Sequence, residues 1–152
     1  MLQSKLFTKT IKESSKEEES KAAQLLIRAG FVDKLAAGVY SFLPLGLKVL
    51  NNIKEVVSEE MRDISAQEIL MPALVPKKNW NQTKRWEDLD VLFKLEGRTG
   101  MNYALGATHE EVIVPLVKKH ISSYKDLPFA AFQIQDKFRD ELRAKSGLLR
   151  TR

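Results

Sequence analysis

Near the end of the chain, residue types and spacing suggest a site for a charged ligand. In FQIQDKFRDELRAKSGLLRTR, from Phe132 to Arg152, the residues Phe132, Ile134 and Phe138 alternate with Gln133, Gln135, Lys137 and Arg139. A period of two predicts a strand with one buried face and one polar face. Glu141 follows Arg139 on the same side, about 7 Å along a strand rising ~3.3–3.4 Å per residue. A basic turn with Arg143, Lys145, Ser146 and Gly147 then leads back through Leu148 to Arg152. The expected hairpin presents Arg139, Glu141 and Arg150 over one floor. A planar guanidinium fork suits a phosphate, and a carboxylate can accept from an exocyclic amine. Those are the needs of an adenine nucleotide where no Gly-rich phosphate loop exists, and neither GxxxxGK[ST] nor GxGxxG occurs in the chain. For most charged hairpins a solvated strand face would explain the same residues.

A second group stands at Gly106-Ala107-Thr108-His109-Glu110-Glu111. Thr108 as N-cap with Glu111 three residues on would form a capping box, which accounts for both without any chemistry. It leaves Glu110 unexplained. A carboxylate at a helix start reached through two small residues could face an ammonium group. His109 and His120 receive no catalytic role, since a histidine on a helix is usually surface or core.

The elements that must position these groups follow from periodicity. Met1 to Ser14 is polar and weakly patterned, an extended arm. Ser15 and Glu18 form an S-x-x-E capping box for a helix whose apolar positions are Ala22, Leu25, Leu26 and Ala29, closed by Gly30. Val39–Phe42 reads as a short strand ended by Pro44. From Leu45 a helix of about five turns carries one apolar stripe: Leu47, Leu50, Ile53, Val57, Met61 and Ile64. Ala66 to Ala73 then reads as a strand ending at Pro72, which belongs on an edge or at an interface. Either a buried core helix with an edge strand or a subunit interface explains that pair. Val75 to Asp90 is a loop-rich connection whose Trp80 and Trp86 are expected to anchor it to the core rather than to stack on a base. Val91–Leu95 and Met101–Leu105 pair around the turn EGRTG.

Length and composition set the bounds. The 152 residues are 43% hydrophobic and 30% charged, which fits one globular unit. A net charge of +5 suits a polyanionic partner but is shared by many proteins. With no cysteine, neither disulfides nor thiolate metal sites are available, and His109 and His120 cannot build a zinc site alone. No apolar run approaches the ~20 residues of a membrane span, and no signal-peptide core opens the chain, so a soluble cytoplasmic protein is expected. Ending inside a strand, the sequence is expected to be the N-terminal part of something longer.

FRDE followed by LLRTR resembles motif 2 of the class II aminoacyl-tRNA synthetases, and QIQDKFRDE…GLLRTR with AGVYSFLPLGLKVLNNI is most similar to the prolyl-tRNA synthetases. The resemblance runs from about Ser4 onward. It implies an α+β fold: part of a class II catalytic domain, an antiparallel sheet with flanking helices. Motif 1 would span about 45–73 and build a homodimer interface, a T-x-E loop would fall at 108–110, and motif 2 at about 131–152. By the same resemblance Thr108 and Glu110 recognise the imino group of proline, and Arg139 bridges the proline carboxylate and the ATP α-phosphate. Glu141 pairs with adenine, Arg150 and Thr151 contact ATP, and Mg²⁺ accompanies it. The implied activity is ATP-dependent ligation of proline to tRNA(Pro) through prolyl-adenylate. The sequence departs from the family at Ala107, where GATHEE replaces GPTHEE, and in RAKSG, where RPRFG is more usual. With motif 3 and an anticodon-binding domain absent from these 152 residues, the chain alone is expected to be inactive. The alternatives are another class II synthetase, a regulatory paralogue, or a non-catalytic fragment that dimerises or binds RNA.

Overall fold

The computed structural model describes residues 2–13, 18, 20–141, 148 and 151. The chain forms two compact units, Met1–Val57 with Leu142–Arg152, and Ser58–Glu141. The expected capping residue Ser15 and the basic turn 143–147 lie outside the described residues, as does Arg150.

In the first unit a 3-10 turn at Gln3–Lys5 leads into an arm whose Ile11 N–H donates to the Arg28 carbonyl at 3.0 Å. Helix α1 spans Lys21–Arg28, with Ser20 as its N-cap accepting from the Ala23 N–H. The helix starts later than its sequence suggests because Glu18 is used elsewhere. That carboxylate is buried and accepts from the Tyr40 hydroxyl at 2.7 Å, with the Lys34 ammonium at 3.1 Å. Burial raises its pKa, but the bonds from Tyr40, Lys34 and the Ser20 N–H outweigh burial and hold it below the ordinary value. The helix buries Ala23, whereas Ala22, Leu25 and Ala29 of the expected stripe are exposed. Gly30 closes it at φ +71°, with Gly30 N–H bonded to Ile27 and Phe31 N–H to Leu26. That pair of bonds satisfies the last carbonyls of the helix, and only glycine reaches this φ without strain. Strands β1 (Val32–Ala36) and β2 (Val39–Phe42) pair antiparallel.

Helix α2, Pro44–Asp63, opens on a proline, whose missing N–H costs nothing there. Its stripe is not a core face. Leu47, Ile53, Val57 and Ile64 are all exposed, Ile53 by 57%. The division between the two units falls within this helix.

The second unit contains the sheet that carries the candidate site. Strand β3 is only Gln67–Glu68, and it runs parallel to β7, Ala131–Phe132. Both elements are much shorter than their patterns predict. Beyond Ile69 the Gln135 side chain takes over the pairing, accepting from the Met71 N–H at 2.9 Å and donating to its carbonyl at 2.8 Å. Pro72, one residue on, has no N–H to continue a ladder. From Gln133 to Glu141 the chain lies outside any strand. Its bonds go to separate segments, Phe138 N–H to Gly106 and Asp140 N–H to Val91.

Strands β4 (Leu74–Pro76), β5 (Lys94–Glu96) and β6 (Asn102–Leu105) form an antiparallel sheet with β6 in the centre. The β5–β6 hairpin turns at Gly97–Gly100 as expected, although β5 begins at Lys94 rather than Val91. The stretch expected to be loop-rich instead contains short helices α3 (Lys77–Asn81) and α4 (Arg85–Asp88). Their two tryptophans fill the core with Val75, Leu92, Ala104 and Ala107. Helix α5, Glu110–His120, contains Pro115. A proline there frees the carbonyl four residues earlier, and Asn79 donates its side-chain N–H to that Glu111 carbonyl at 2.9 Å. Among the described residues no helix is long and apolar enough to cross a membrane.

Candidate functional site

The loop between β6 and α5 is fixed by what lies beneath it. Gly106 donates to the Ala73 carbonyl at 2.7 Å. A Cβ on Gly106 would sit 3.0 Å from two ring atoms of His109, so the glycine makes room for the imidazole. His109 is buried, with Nε2 3.1 Å from the Pro72 carbonyl and 3.2 Å from the Gln135 amide nitrogen. Burial pushes its pKa below the ordinary value, and the nearby Lys137 adds to this, against the Pro72 carbonyl and the two glutamates.

With His109 turned inward, its neighbours face two ways. Glu110 is exposed, and the Thr108 hydroxyl donates to its carboxylate. Glu111 is buried and accepts from Arg85 at 2.9 Å and Thr83 at 3.2 Å. The expected capping box does not form. The N-cap of α5 is His109 without a side-chain bond, Thr108 serves Glu110, and Glu111 serves Arg85. Thr108 and Glu111 are therefore held by contacts other than helix capping. Arg85 also reaches Glu110, at 3.8 Å.

Arg139 comes to the same loop, its Nε donating to the Ala107 carbonyl at 3.2 Å. Thr108, Glu110 and Arg139 are thus gathered around the chain from Ala107 to Glu110. Glu141 is half-buried and its N–H donates to the Arg139 carbonyl. Thr151 is exposed and belongs to the other unit. A groove of about 490 Å³ borders Glu110 on its other flank, between α3 and α5, and is lined by Asn79, Thr83, Arg85, Val114 and Lys118. Neither Thr108 nor Arg139 lines it.

Four residues at the site carry no role in the sequence reading: Arg85, Gln135, Lys137 and the buried His109. Alternation pointed to Lys137 and Gln135, which share the polar register of Arg139. Nothing in local sequence pointed to Arg85, whose partner is 26 residues away. Among the described residues no group of three or more histidines and carboxylates could hold a metal ion.

Residues 93–152 match the family of the tRNA synthetase class II core domain (G, H, P, S and T). Over 150 residues, 98% of the chain, it is 51% identical to a proline--tRNA ligase of Streptomyces griseus subsp. griseus, of whose length it covers 26%. A proline--tRNA ligase of Macrococcus caseolyticus is 48% identical over 153 residues, all of this chain and 27% of its own length. The chain thus spans about a quarter of the curated relatives it matches. Among solved structures, the Giardia lamblia prolyl-tRNA synthetase in complex with prolyl-adenylate superposes with a TM-score of 0.75 at 27% identity, over 84% of this chain and 27% of that one. The Cryptosporidium parvum enzyme complexed with halofuginone and AMPPNP gives a TM-score of 0.75 at 19% identity, over 92% of this chain and 29% of that one, a likeness of fold.

Proposed function

We propose, for a chain that belongs to the prolyl-tRNA synthetases of class II, that its T-x-E loop and Arg139 hold proline for activation by ATP. The observation that carries this is the hydrogen-bonded Thr108–Glu110 pair on a loop to which Arg139 is itself tied. Proline's secondary ammonium offers two N–H donors, and the Thr108 oxygen and the Glu110 carboxylate offer acceptors. The Arg139 Nε is engaged by Ala107, leaving Nη1 and Nη2 for a carboxylate or a phosphoryl oxygen.

The proline carboxylate oxygen attacks the α-phosphorus of ATP. An O–P bond forms, the bond to the bridging oxygen breaks, and pyrophosphate leaves with that electron pair. A ribose hydroxyl at the 3′ end of tRNA(Pro) then takes the prolyl group and AMP departs. The carboxylate is already the nucleophile, so the first step needs no general base. Catalysis rests on alignment and on cationic stabilisation of charge growing on the phosphoryl oxygens. By the family resemblance Glu141 would pair with adenine, and Arg150 and Thr151 would contact ATP. Mg²⁺ would arrive with the phosphates, as no cluster of carboxylates among the described residues could hold it. The exposed stripe of α2 is the surface on which a homodimer would close, and the setting is the cytoplasm.

Proline-dependent exchange of pyrophosphate into ATP by the complete protein carrying this chain tests the reading. Arg139→Ala should slow exchange about 10²–10³-fold, the cost of one preorganised donor. Exchange driven by glycine, histidine, serine or threonine but not proline would replace the substrate assignment. Undiminished exchange in the Arg139→Ala variant would remove Arg139 from the mechanism.

A further inference from the structure

Lys137 lies two residues before Arg139, close enough for the two positive charges to oppose one another. The intervening Phe138 is tied by its N–H to the Gly106 carbonyl, which fixes the segment against the T-x-E loop. The ammonium nitrogen of Lys137 is buried and has no hydrogen-bond partner among the described residues. An ammonium out of water with nothing to donate to is costly, and buried charges are ordinarily paired. Its surroundings show where a partner is missing. Glu110 and Asp136 attract its charge and Arg139 opposes it, while burial favours the neutral amine most strongly. Lys137 also acts on His109, which puts it beside the loop's anchor. Glu110 is occupied by Thr108 and approached by Arg85. Glu110 and Asp136 thus act on the Lys137 ammonium only from beyond hydrogen-bond distance, and its donors are left beside Arg139 for an anionic acceptor.

Resting on the functional reading above, we infer that Lys137 is a second substrate-binding cation, which receives the carboxylate of the incoming amino acid alongside Arg139. The zwitterion would then be read at both ends: its ammonium by Thr108 and Glu110, its carboxylate by Lys137 and Arg139. This division gives a sharp test, because a ligand without the carboxylate does not need Lys137. Binding of proline and of prolinamide would be measured on the complete protein and on its Lys137→Met and Lys137→Gln variants. Both substitutions should weaken proline by about 10–100-fold, the worth of one charged hydrogen bond. Prolinamide should change by no more than about 2–3-fold, and Lys137→Arg should recover part of the proline affinity. Equal losses for the two ligands, or none for either, would overturn the inference while leaving the functional reading intact. Failure of the unaltered protein to bind proline would overturn both.

Discussion

The sheet beneath the T-x-E loop and the long helix α2 use the same kinds of apolar residue to opposite ends. Under the loop, Trp80, Val75 and Ala104 are wholly out of solvent, and Trp86 and Leu92 nearly so. Along α2, Leu47, Ile53 and Val57 belong to one helical stripe, yet each is exposed, Ile53 by 57%. One region is finished by its own chain, and the other presents a stripe that the chain leaves open. Periodicity thus tells which residues share a face, but only partners distant in sequence, or in another molecule, decide whether that face is covered. The proposed site sits on the finished region, where loops are held by Gly106, His109 and Gln135 and small displacements would be felt.

The largest effect should come from emptying the finished core. Trp80→Ala is expected to cost about 3–5 kcal/mol in urea unfolding, because the indole is fully buried. A loss below about 1 kcal/mol would mean that this core is looser than its burial implies. Next is the buried carboxylate behind the loop. Glu111→Gln should cost about 1–3 kcal/mol, less than a wholly buried pair would, because Arg85 keeps 42% of its side chain in solvent. Proline binding should weaken with it if this ion pair sets the pitch of the loop.

A smaller effect follows from His109. Burial holds its folded pKa below the ordinary 6.5, so the fold favours the neutral ring. Its contribution is complete above the unfolded value and is lost as pH falls below it towards the folded value. The melting temperature should drop as pH falls below about 6.5, and His109→Gln should flatten that limb. An unchanged slope would assign the acid sensitivity to other groups. The smallest change is expected on α2. Ile53→Ser should alter unfolding of the single chain by no more than about 0.5 kcal/mol, since the residue is already 57% exposed. If the stripe closes a homodimer, the same change should shift the sedimentation profile of the complete protein towards monomer at micromolar concentration.

How much could be read from sequence divides along the same line. Helix α2 emerged almost to the residue, because twenty positions of regular spacing give a strong signal, and the β5–β6 hairpin followed from its two glycines. Gly30 marked the end of α1 for a reason visible locally, its left-handed φ. The start of α1 was misread because the carboxylate of Glu18 serves Tyr40, 22 residues away, instead of the nearest helix. The strand expected from Phe132 to Phe138 failed for a related reason. Its alternation is real, but its partners are separate segments and a glutamine side chain rather than one neighbouring strand. At the site, Thr108, Glu110 and Arg139 were singled out by their types and by the family resemblance, and the structure brings them to one loop. The favoured structural explanation of Thr108 and Glu111 misled, since a capping box and the observed Thr108–Glu110 and Arg85–Glu111 pairs call for identical residues.

The most direct test is a crystal structure of the complete protein with a non-hydrolysable analogue of prolyl-adenylate. The proline nitrogen should lie within hydrogen-bond distance, about 2.7–3.2 Å, of both the Thr108 hydroxyl and the Glu110 carboxylate. The phosphoryl mimic should meet the terminal nitrogens of Arg139 at about 2.7–2.9 Å. An analogue seated in the groove between α3 and α5, touching neither Thr108 nor Arg139, would contradict the account.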